Sequence, residues 1–507
     1  MIKTWNRFIE KNKEAFWLWI LFFIILLVAY IQFLNPYITC DHMGLALFQT
    51  VRGIPNLEDI QGLLSGGRFG NILTLWAYYF LGKVNVSHYS NIYVIQILGI
   101  ALYAISCVIL FRMFHKYIQG KLQKYILVGL LLLCFINPFM VETYLYGSFD
   151  WAYGILFSVL AAKYFSTGKI IRGFLLALWA VSIYQTNILI VIIISFLVFF
   201  IDFMKVGIHD WKKFIIRLLS TGSLSVVAAL IVILSYKIYA LTGNYVNPAK
   251  DAVVSSDYLS LIMKVISDMK SIYVTMYSLY PTRFIPWIVL ITLLITLYIL
   301  TFCMKKYAYS LVWIIITGIL FVTPFAYMLA SGNTWAAQRT LLPVFFSLAM
   351  FLLGALYIVQ NSKVLMNIYA VICCVVFLVT IYYTQTCIVD TYMGQALDYN
   401  EVLCIQSEIE EYEETTGIEV KKVSWKKSPE MTYVHPLLHF QNDSIYTHRI
   451  ICDAGDYLLK YVTKEDYELL WMTEEEYRMY FDGRSWDVFN PSQQLHFEGD
   501  TLYWVVY

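Results

Sequence analysis

Negative charge is scarce over most of this 507-residue chain: residues 1–388 hold only 12 of its 35 aspartates and glutamates. Charged residues of either sign make up 14% of the whole and hydrophobic residues 60%, a composition that excludes an ordinary soluble domain and gives no reason to expect a nucleic-acid partner. The nine cysteines contain no CxxC pair and no metal-ligand spacing. Five of them, Cys107, Cys134, Cys303, Cys373 and Cys374, lie in apolar runs and read as packing residues, which leaves Cys404 and Cys452 as the pair to consider for an exterior disulfide. The chain has no P-loop, no EF-hand loop, no dinucleotide fingerprint and no clear internal repeat, so no nucleotide, calcium or other cofactor is expected and no metal is demanded.

What the chain has instead is long apolar runs, such as residues 16–31, 188–201 and 285–304, and a mean hydropathy of +0.64. A run of about 20 residues spans a ~30 Å hydrocarbon core, so the chain reads as a polytopic membrane protein. Its net charge of +1 hides an asymmetry. Residues 1–388 carry 27 Lys and Arg against 12 acids, or +15, and residues 389–507 carry 9 against 23, or −14. The division expected is a basic transmembrane domain, 1–388, followed by an acidic soluble domain, 389–507. The first apolar run lacks a small-residue cleavage site and is longer than a signal-peptide core, so it reads as a retained span.

Lysines and arginines cluster at Lys3 to Lys13, Arg112 to Lys124, Lys163 to Arg172, Lys205 to Arg217, Lys305 to Lys306 and at Lys363. The positive-inside rule puts all of these in the cytoplasm. Eleven spans satisfy that arrangement, near residues 16–34, 90–111, 125–141, 151–166, 173–187, 188–204, 218–241, 284–304, 309–330, 340–360 and 365–388. Phe69 to Leu81 is too short for a twelfth and is expected at the membrane surface, within a long first exterior loop of residues 35–89. With the N-terminus cytoplasmic and the C-terminal domain exterior, Asp41, Arg68, Glu142, Asp150, Tyr184, Gln185 and Arg339 all fall on the outer face. Asp41, Glu142 and Asp150 border apolar stretches, where a lone buried carboxylate costs on the order of 3 kcal/mol on insertion scales. Polar residues gathered on one face point to a site capping a helical bundle.

Several short motifs carry a family resemblance. Asn137-Pro-Phe-Met-Val-Glu142, followed by Tyr146 and by Phe149-Asp150, resembles the NPF-x-x-E…FD signature of the GtrII-type bacterial membrane glucosyltransferases. Gly67-Arg68 in the first exterior loop and Ser182-Ile-Tyr184-Gln185, similar to that family's SLYQ, agree with it. The family's acidic motif after the first span corresponds to Asp41-His42-Met-Gly-Leu45, in which the first aspartate matches whereas His42 and Leu45 depart. The resemblance covers roughly residues 16–390 and implies an all-α, GT-C-like enzyme that takes a hexose, commonly glucose, from a polyprenyl phosphate in the bacterial inner membrane. It implies a cell-surface glycan as acceptor, and a donor-lipid synthase and a flippase as further partners.

The residues suit that chemistry. An acceptor hydroxyl attacking an anomeric carbon needs a base, and Asp41 at the membrane boundary is the candidate catalytic residue. The departing lipid phosphate needs cationic partners, for which Arg68 and Arg339 are the candidates, since an arginine fork can grip phosphate with two bonds. Direct displacement with a single base inverts the anomeric centre. His42, Glu142, Asp150, Tyr184 and Gln185 complete the candidate donor- and acceptor-binding set. Each has a structural reading beside the functional one. Asp41 suits a helix N-cap, Glu142 and Asp150 bracket the Tyr146-Gly147 turn, and Arg68 lies in a glycine-rich reversal. Arg339 suits an interfacial anchor, Tyr184 and Gln185 suit polar helix packing, and His42 suits an idle loop position.

The tail is expected to form a small exterior α/β domain. A helix over residues 398–415 ends at Gly417, a strand follows over Ile418 to Val423, a helix runs near Lys464 to Tyr480, and Gln494 to Tyr507 alternates as a hairpin around Glu498-Gly-Asp500. Two other function classes fit parts of the pattern: a flippase for lipid-linked sugars, usually marked by mid-membrane charge and repeated halves, and a polymerase of lipid-linked oligosaccharides, which needs similar outer-face bases and arginines.

Overall fold

The computed structural model describes residues 13–34, 57–64, 67–73, 90–145, 148–207, 210–241, 258–275, 280–331, 337–428, 450–486 and 488–506. Among these, the residues up to Thr384 form one compact unit and those from Gln385 onward form a second. Asp41 and His42 lie outside the described residues, as does most of the proposed 35–89 loop.

The first unit is helical. Its elements are α1 (Lys13–Ala29), α2 (Leu57–Leu64), α3 (Ser90–His115), α4 (Lys121–Leu133), α5 (Pro138–Leu145), α6 (Ser148–Ser166), α7 (Ile170–Ile183), α8 (Asn187–Val206), α9 (Trp211–Leu241), α10 (Tyr258–Thr275), α11 (Phe284–Tyr298), α12 (Tyr307–Val322), α13 (Ala326–Ser331), α14 (Gln338–Val359) and α15 (Lys363–Thr416). A π-helical turn, Ile299–Cys303, prolongs α11. Seven helices are long and apolar enough to cross a bilayer, and they match the expected spans 90–111, 188–204, 218–241, 284–304, 309–330, 340–360 and 365–388. The protein is therefore a membrane protein with several apolar helices, and the count of eleven spans is not confirmed.

The other four expected spans are shorter or interrupted. Residues 16–34 give the 17-residue α1, and 173–187 give the 14-residue α7. The 19-residue α6 is diluted by Ser148, Asp150, Ser158, Lys163 and Ser166. The span over 125–141 breaks into α4 and α5, bent by 54°. Asn137-Pro138 makes the bend. Asn137 Nδ2 donates to the carbonyls of Leu133 and Cys134 at 3.1 and 3.2 Å, and its Oδ1 accepts from the Met140 N–H at 3.1 Å. One side chain thus ends α4 and N-caps α5. Pro138, at the first helical position of α5, gives up a backbone N–H that would have had no partner there.

Apolar residues surround α14 on all sides, and 94% of its apolar stretch is buried, so it forms the centre of the bundle. It packs against α4, α5, α8 and α12, while α6 packs against α3, α7 and α8. α9 is only 22% buried and displays Ile216, Leu219, Leu230, Leu234 and Ile238. A contiguous apolar face of that size on a water-soluble monomer would be an association site. On a bundle with seven spanning-length helices it is a surface for lipid.

The second unit begins within α15 and contains β1 (Lys422–Lys427), α16 (Ile450–Thr463), β2 (Glu468–Trp471), α17 (Glu474–Phe481), α18 (Pro491–Gln494), β3 (Leu495–Glu498) and β4 (Thr501–Val506). The sheet order is β2-β1-β4-β3, with β1 parallel to both neighbours and β3–β4 an antiparallel hairpin. Val402, Ile405 and Ile409 of α15 share its core with Val423, Trp425, Leu458, Leu459, Leu502 and Trp504. The terminal hairpin turns at Gly499, as its sequence indicates. Three expectations change. The helix through 398–415 is the end of the 54-residue α15, which does stop before Gly417. The strand expected at Ile418 to Val423 lies at Lys422–Lys427. The helix expected over Lys464 to Tyr480 is a strand followed by the short α17, because Thr473 opens a new helix with a capping box: its N–H donates to Glu476 Oε2 at 2.7 Å and its hydroxyl accepts from the Glu476 N–H at 3.2 Å. Cys404 is exposed and carries a free thiol.

Candidate active site

Glu142 sits on the second turn of α5, 3% exposed. The Asn137 hinge aims it. Phe139 meets Phe345 edge-on at 5.2 Å, docking α5 antiparallel to the first turns of α14, so that three residues later Glu142 reaches the start of that helix. Its Oε2 accepts from the backbone N–H of Arg339 at 2.6 Å, and its Oε1 pairs with the Arg339 guanidinium. Ala337, at the N-cap of α14, has no side chain that can cap, so Glu142 supplies in trans the acceptor that the helix lacks. A carboxylate there also faces the positive end of the helix dipole. The partner of Glu142 is thus Arg339, and the Tyr146-Gly147 turn that it was expected to bracket with Asp150 lies outside the described residues.

Tyr184 joins that pair to Arg68. α7 ends at Ile183 and α8 starts at Asn187, and Tyr184 leaves the helical conformation with φ −152° and ψ 131°. The Arg339 side chain lies close enough to it to interact electrostatically. Trp151, on α6, meets the Tyr184 ring edge-on at 4.2 Å, and the Arg68 guanidinium carbon lies over the same ring, 5.0 Å from its centroid. Two arginines from segments 271 residues apart thus flank one buried phenol.

The segment carrying Arg68 owes its shape to two glycines. Gly67 has φ +65°; its N–H donates to Leu64 O at 3.0 Å and the Arg68 N–H donates to Leu63 O at 2.8 Å, the bond pair of a Schellman cap closing α2. The glycine-rich reversal is a helix stop that projects Arg68. Gly70 then docks the turn on the end of α7: its N–H donates to Ser182 O at 3.1 Å, and a Cβ on it would stand 2.5 Å from Ser182 Oγ and 3.1 Å from Ile183 N. Gly70→Ala is expected to push the turn off α7 and lower the activity at least about tenfold, an effect of about 1.4 kcal/mol or more, while thermal unfolding of the purified protein shifts little. Unchanged activity would show that the position of Arg68 does not matter.

Of the remaining candidates, Asp150 lies in the first turn of α6, close enough to interact electrostatically with Tyr103, whose hydroxyl is 3.4 Å from Thr143 Oγ1. It flanks the cluster through its neighbour Trp151. Gln185 follows Tyr184 in the turn to α8. Two residues of the site were missed in the sequence. Trp151 walls Tyr184, and Asn187 fixes the turn by donating from Nδ2 to Ala180 O at 3.1 Å. Their only signal in the sequence is adjacency to Asp150 and Gln185.

Among the described residues Arg68 Nε has no hydrogen-bond partner. The centre can therefore receive an anion between two guanidinium groups, one of them held in place by a buried carboxylate. A family model, Glucosyl transferase GtrII, matches residues 47–380, which are 334 of the 507 residues. The chain belongs to the GtrII glucosyl transferase family. That membership makes it a membrane glycosyltransferase and covers Arg68, Glu142, Asp150, Tyr184, Gln185 and Arg339, whereas Asp41 and His42 precede the matched segment. No curated protein and no solved structure matches the chain.

Proposed function

We propose that this GtrII-family protein transfers a hexose, glucose by its family, from a polyprenyl phosphate to a glycan on the outer face of a bacterial inner membrane, with inversion. The observation that carries this reading is the convergence of Arg68 and Arg339 on Tyr184 within the matched family segment. The acceptor hydroxyl oxygen attacks the anomeric carbon, and the bond from that carbon to the phosphate oxygen breaks. The electron pair leaves with the lipid phosphate, and the hydroxyl proton passes to Asp41. Arg68 and Arg339 bind the phosphate and stabilise the charge that grows on it. Glu142 is a positioning residue in this scheme, because it holds Arg339 rather than touching the sugar. Asp150, Gln185 and His42 are assigned to the sugars, with Tyr184 between the two cations. The N-terminus is cytoplasmic and the second unit exterior, and a donor-lipid synthase and a flippase supply the donor.

The test is transfer by purified protein from polyprenyl-phosphate hexose to surface polysaccharide, followed by mass analysis for one added hexose per repeat. Activity is expected to survive EDTA, and Arg339→Ala or Arg68→Ala to reduce it about 100- to 1,000-fold, the usual effect of removing one donor to a developing anion. Lysine at either position should restore only part, since it keeps the charge and loses the fork. Activity abolished by EDTA and regained with a divalent ion would overturn the metal-free scheme. Movement of intact lipid-linked sugar without cleavage would make the protein a translocase. Orientation is checked separately by impermeant thiol labelling in a background stripped of the exposed Cys303, Cys374 and Cys404. New cysteines at Asn247 and Asp443 should label in spheroplasts and one at Gln119 should not. The reverse pattern would put the site on the cytoplasmic face.

A further inference from the structure

At the far end of α14 from Arg339, 20 residues and about 30 Å along the helix axis, lies a cavity of about 320 Å³. That volume falls within the ~300–1,000 Å³ of small-ligand sites. It opens among Lys116, Tyr117, Gln119, Lys205, Lys306 and Gln360, together with Met204, Met304, Tyr357, Ile358 and Asn361. Among the described residues no carboxylate lines it. Asp202, bonded to the lining residue Tyr117, is already engaged, accepting from Tyr117 Oη at 2.5 Å and from Arg217 at 3.0 Å. Lys116, Lys205 and Lys306 enter no ion pair among the described residues; Lys116 and Lys306 face only the rings of Tyr117 and Tyr309, at 4.6 and 5.2 Å. The rim is fixed rather than loose. Gln360 accepts from the Gln119 N–H at 3.1 Å and donates to the carbonyls of Tyr117 and Tyr357 at 3.2 and 3.0 Å, tying the end of α14 to the turn after α3.

α3, α8, α14 and the π-turn after α11 all end here, and lysines commonly offset the roughly half negative charge of a helix C-terminus. Four such ends sum to about −2 against +3 from the lysines. Terminal carbonyls are moreover satisfied from within the chain, by Gly207 N to Phe203 O at 3.0 Å, Met304 N to Ile299 O at 2.8 Å and Lys306 N to Leu300 O at 2.7 Å, as well as by Gln360. The ammonium groups remain a surplus of donors around a cavity on a membrane protein, the setting in which basic pockets between helices take lipid headgroups.

We propose that this cavity binds a phosphate group, and that its occupant is the headgroup of an anionic membrane phospholipid, at a site separate from the Arg68–Arg339 centre. The full-length protein is placed in nanodiscs of phosphatidylcholine with increasing phosphatidylglycerol, and retained phosphatidylglycerol is counted by native mass spectrometry. Replacing Lys116, Lys205 and Lys306 together by Gln is expected to weaken retention at least tenfold and to remove the gain in unfolding temperature given by phosphatidylglycerol. The triple Arg variant should retain the lipid, and Lys212, Lys213 and Lys363 replaced together by Gln, on exposed positions outside the cavity, should behave as wild type. Equal loss in that control triple would reduce the effect to diffuse surface attraction and overturn the site. Destabilisation of the cavity triple that is the same in pure phosphatidylcholine, with retention unchanged, would assign the lysines to the helix ends. Displacement of the lipid by equimolar inorganic phosphate would overturn the lipid as occupant and leave a soluble phosphate.

Discussion

Glu142→Gln is expected to cut glycosyl transfer about 100-fold, the lower range for losing one oriented donor to a developing anion. The amide keeps the size of the side chain and can still accept from the Arg339 N–H, so the cap on α14 survives and only the charge is lost. Breaking a wholly buried ion pair costs about 3–5 kcal/mol, but the Arg339 side chain keeps 22% of its surface exposed, so the loss in stability should be nearer ~2 kcal/mol. The freed guanidinium then turns toward solvent or Tyr184 and no longer waits where the phosphate arrives. A positioning role and an acceptor-binding role predict different kinetics. If Glu142 acts through Arg339, kcat falls, KM for the acceptor glycan stays near wild type, and adding Arg339→Ala to Glu142→Gln costs far less than the product of the two single effects. If Glu142 instead holds the acceptor, KM for the acceptor rises and the two substitutions act independently. Wild-type turnover by Glu142→Gln would show that the ion pair serves the fold alone.

Most of the members of this centre could be read from the sequence, and their partners could not. Arg68, Tyr184 and Arg339 stand out because polar residues next to apolar runs need a reason to be there. Glu142 stands out for the same reason, yet the nearest plausible companion in the sequence is Asp150, eight residues on, while the actual one is 197 residues away. Only packing reveals it, since Phe139 on Phe345 sets the register between α5 and α14. Asn137-Pro138 carried a family resemblance in the sequence and a mechanical role in the fold, where the same two residues bend a span by 54° to bring Glu142 round. The count of eleven spans is not confirmed for a related reason. Hydropathy sums the apolar residues of 125–141 and of 173–187 and cannot see that one stretch is broken and the other is a 14-residue helix. In the second unit, α16 escaped notice because Asp453, Gly455 and Asp456 interrupt its apolar pattern. The hairpin of β3 and β4 was legible because alternation and a Gly-Asp turn are local signals.

Asp41→Asn should have the largest effect on the chemical step. A positioned general base contributes about 100- to 10,000-fold, and the amide keeps the shape of the carboxylate while giving up its basicity. Asp41 precedes the matched segment and lies outside the described residues, so its assignment rests on the acid expected after the first span and on the need of the attacking hydroxyl for a proton acceptor. Purified Asp41→Asn should bind the lipid donor as wild type does, because the phosphate is held by Arg68 and Arg339, and yet leave it uncleaved. Asp41→Glu should recover part of the rate, since the base is restored about one carbon–carbon bond out of place. His42 provides the internal control. Its imidazole could take the same proton, so His42→Gln is expected to slow transfer only modestly if Asp41 is the base. Should Asp41→Asn transfer normally while His42→Gln loses activity, the base would be His42, and the departure at that position from the two aspartates of the family motif would mark a change of catalytic group rather than the loss of a bystander.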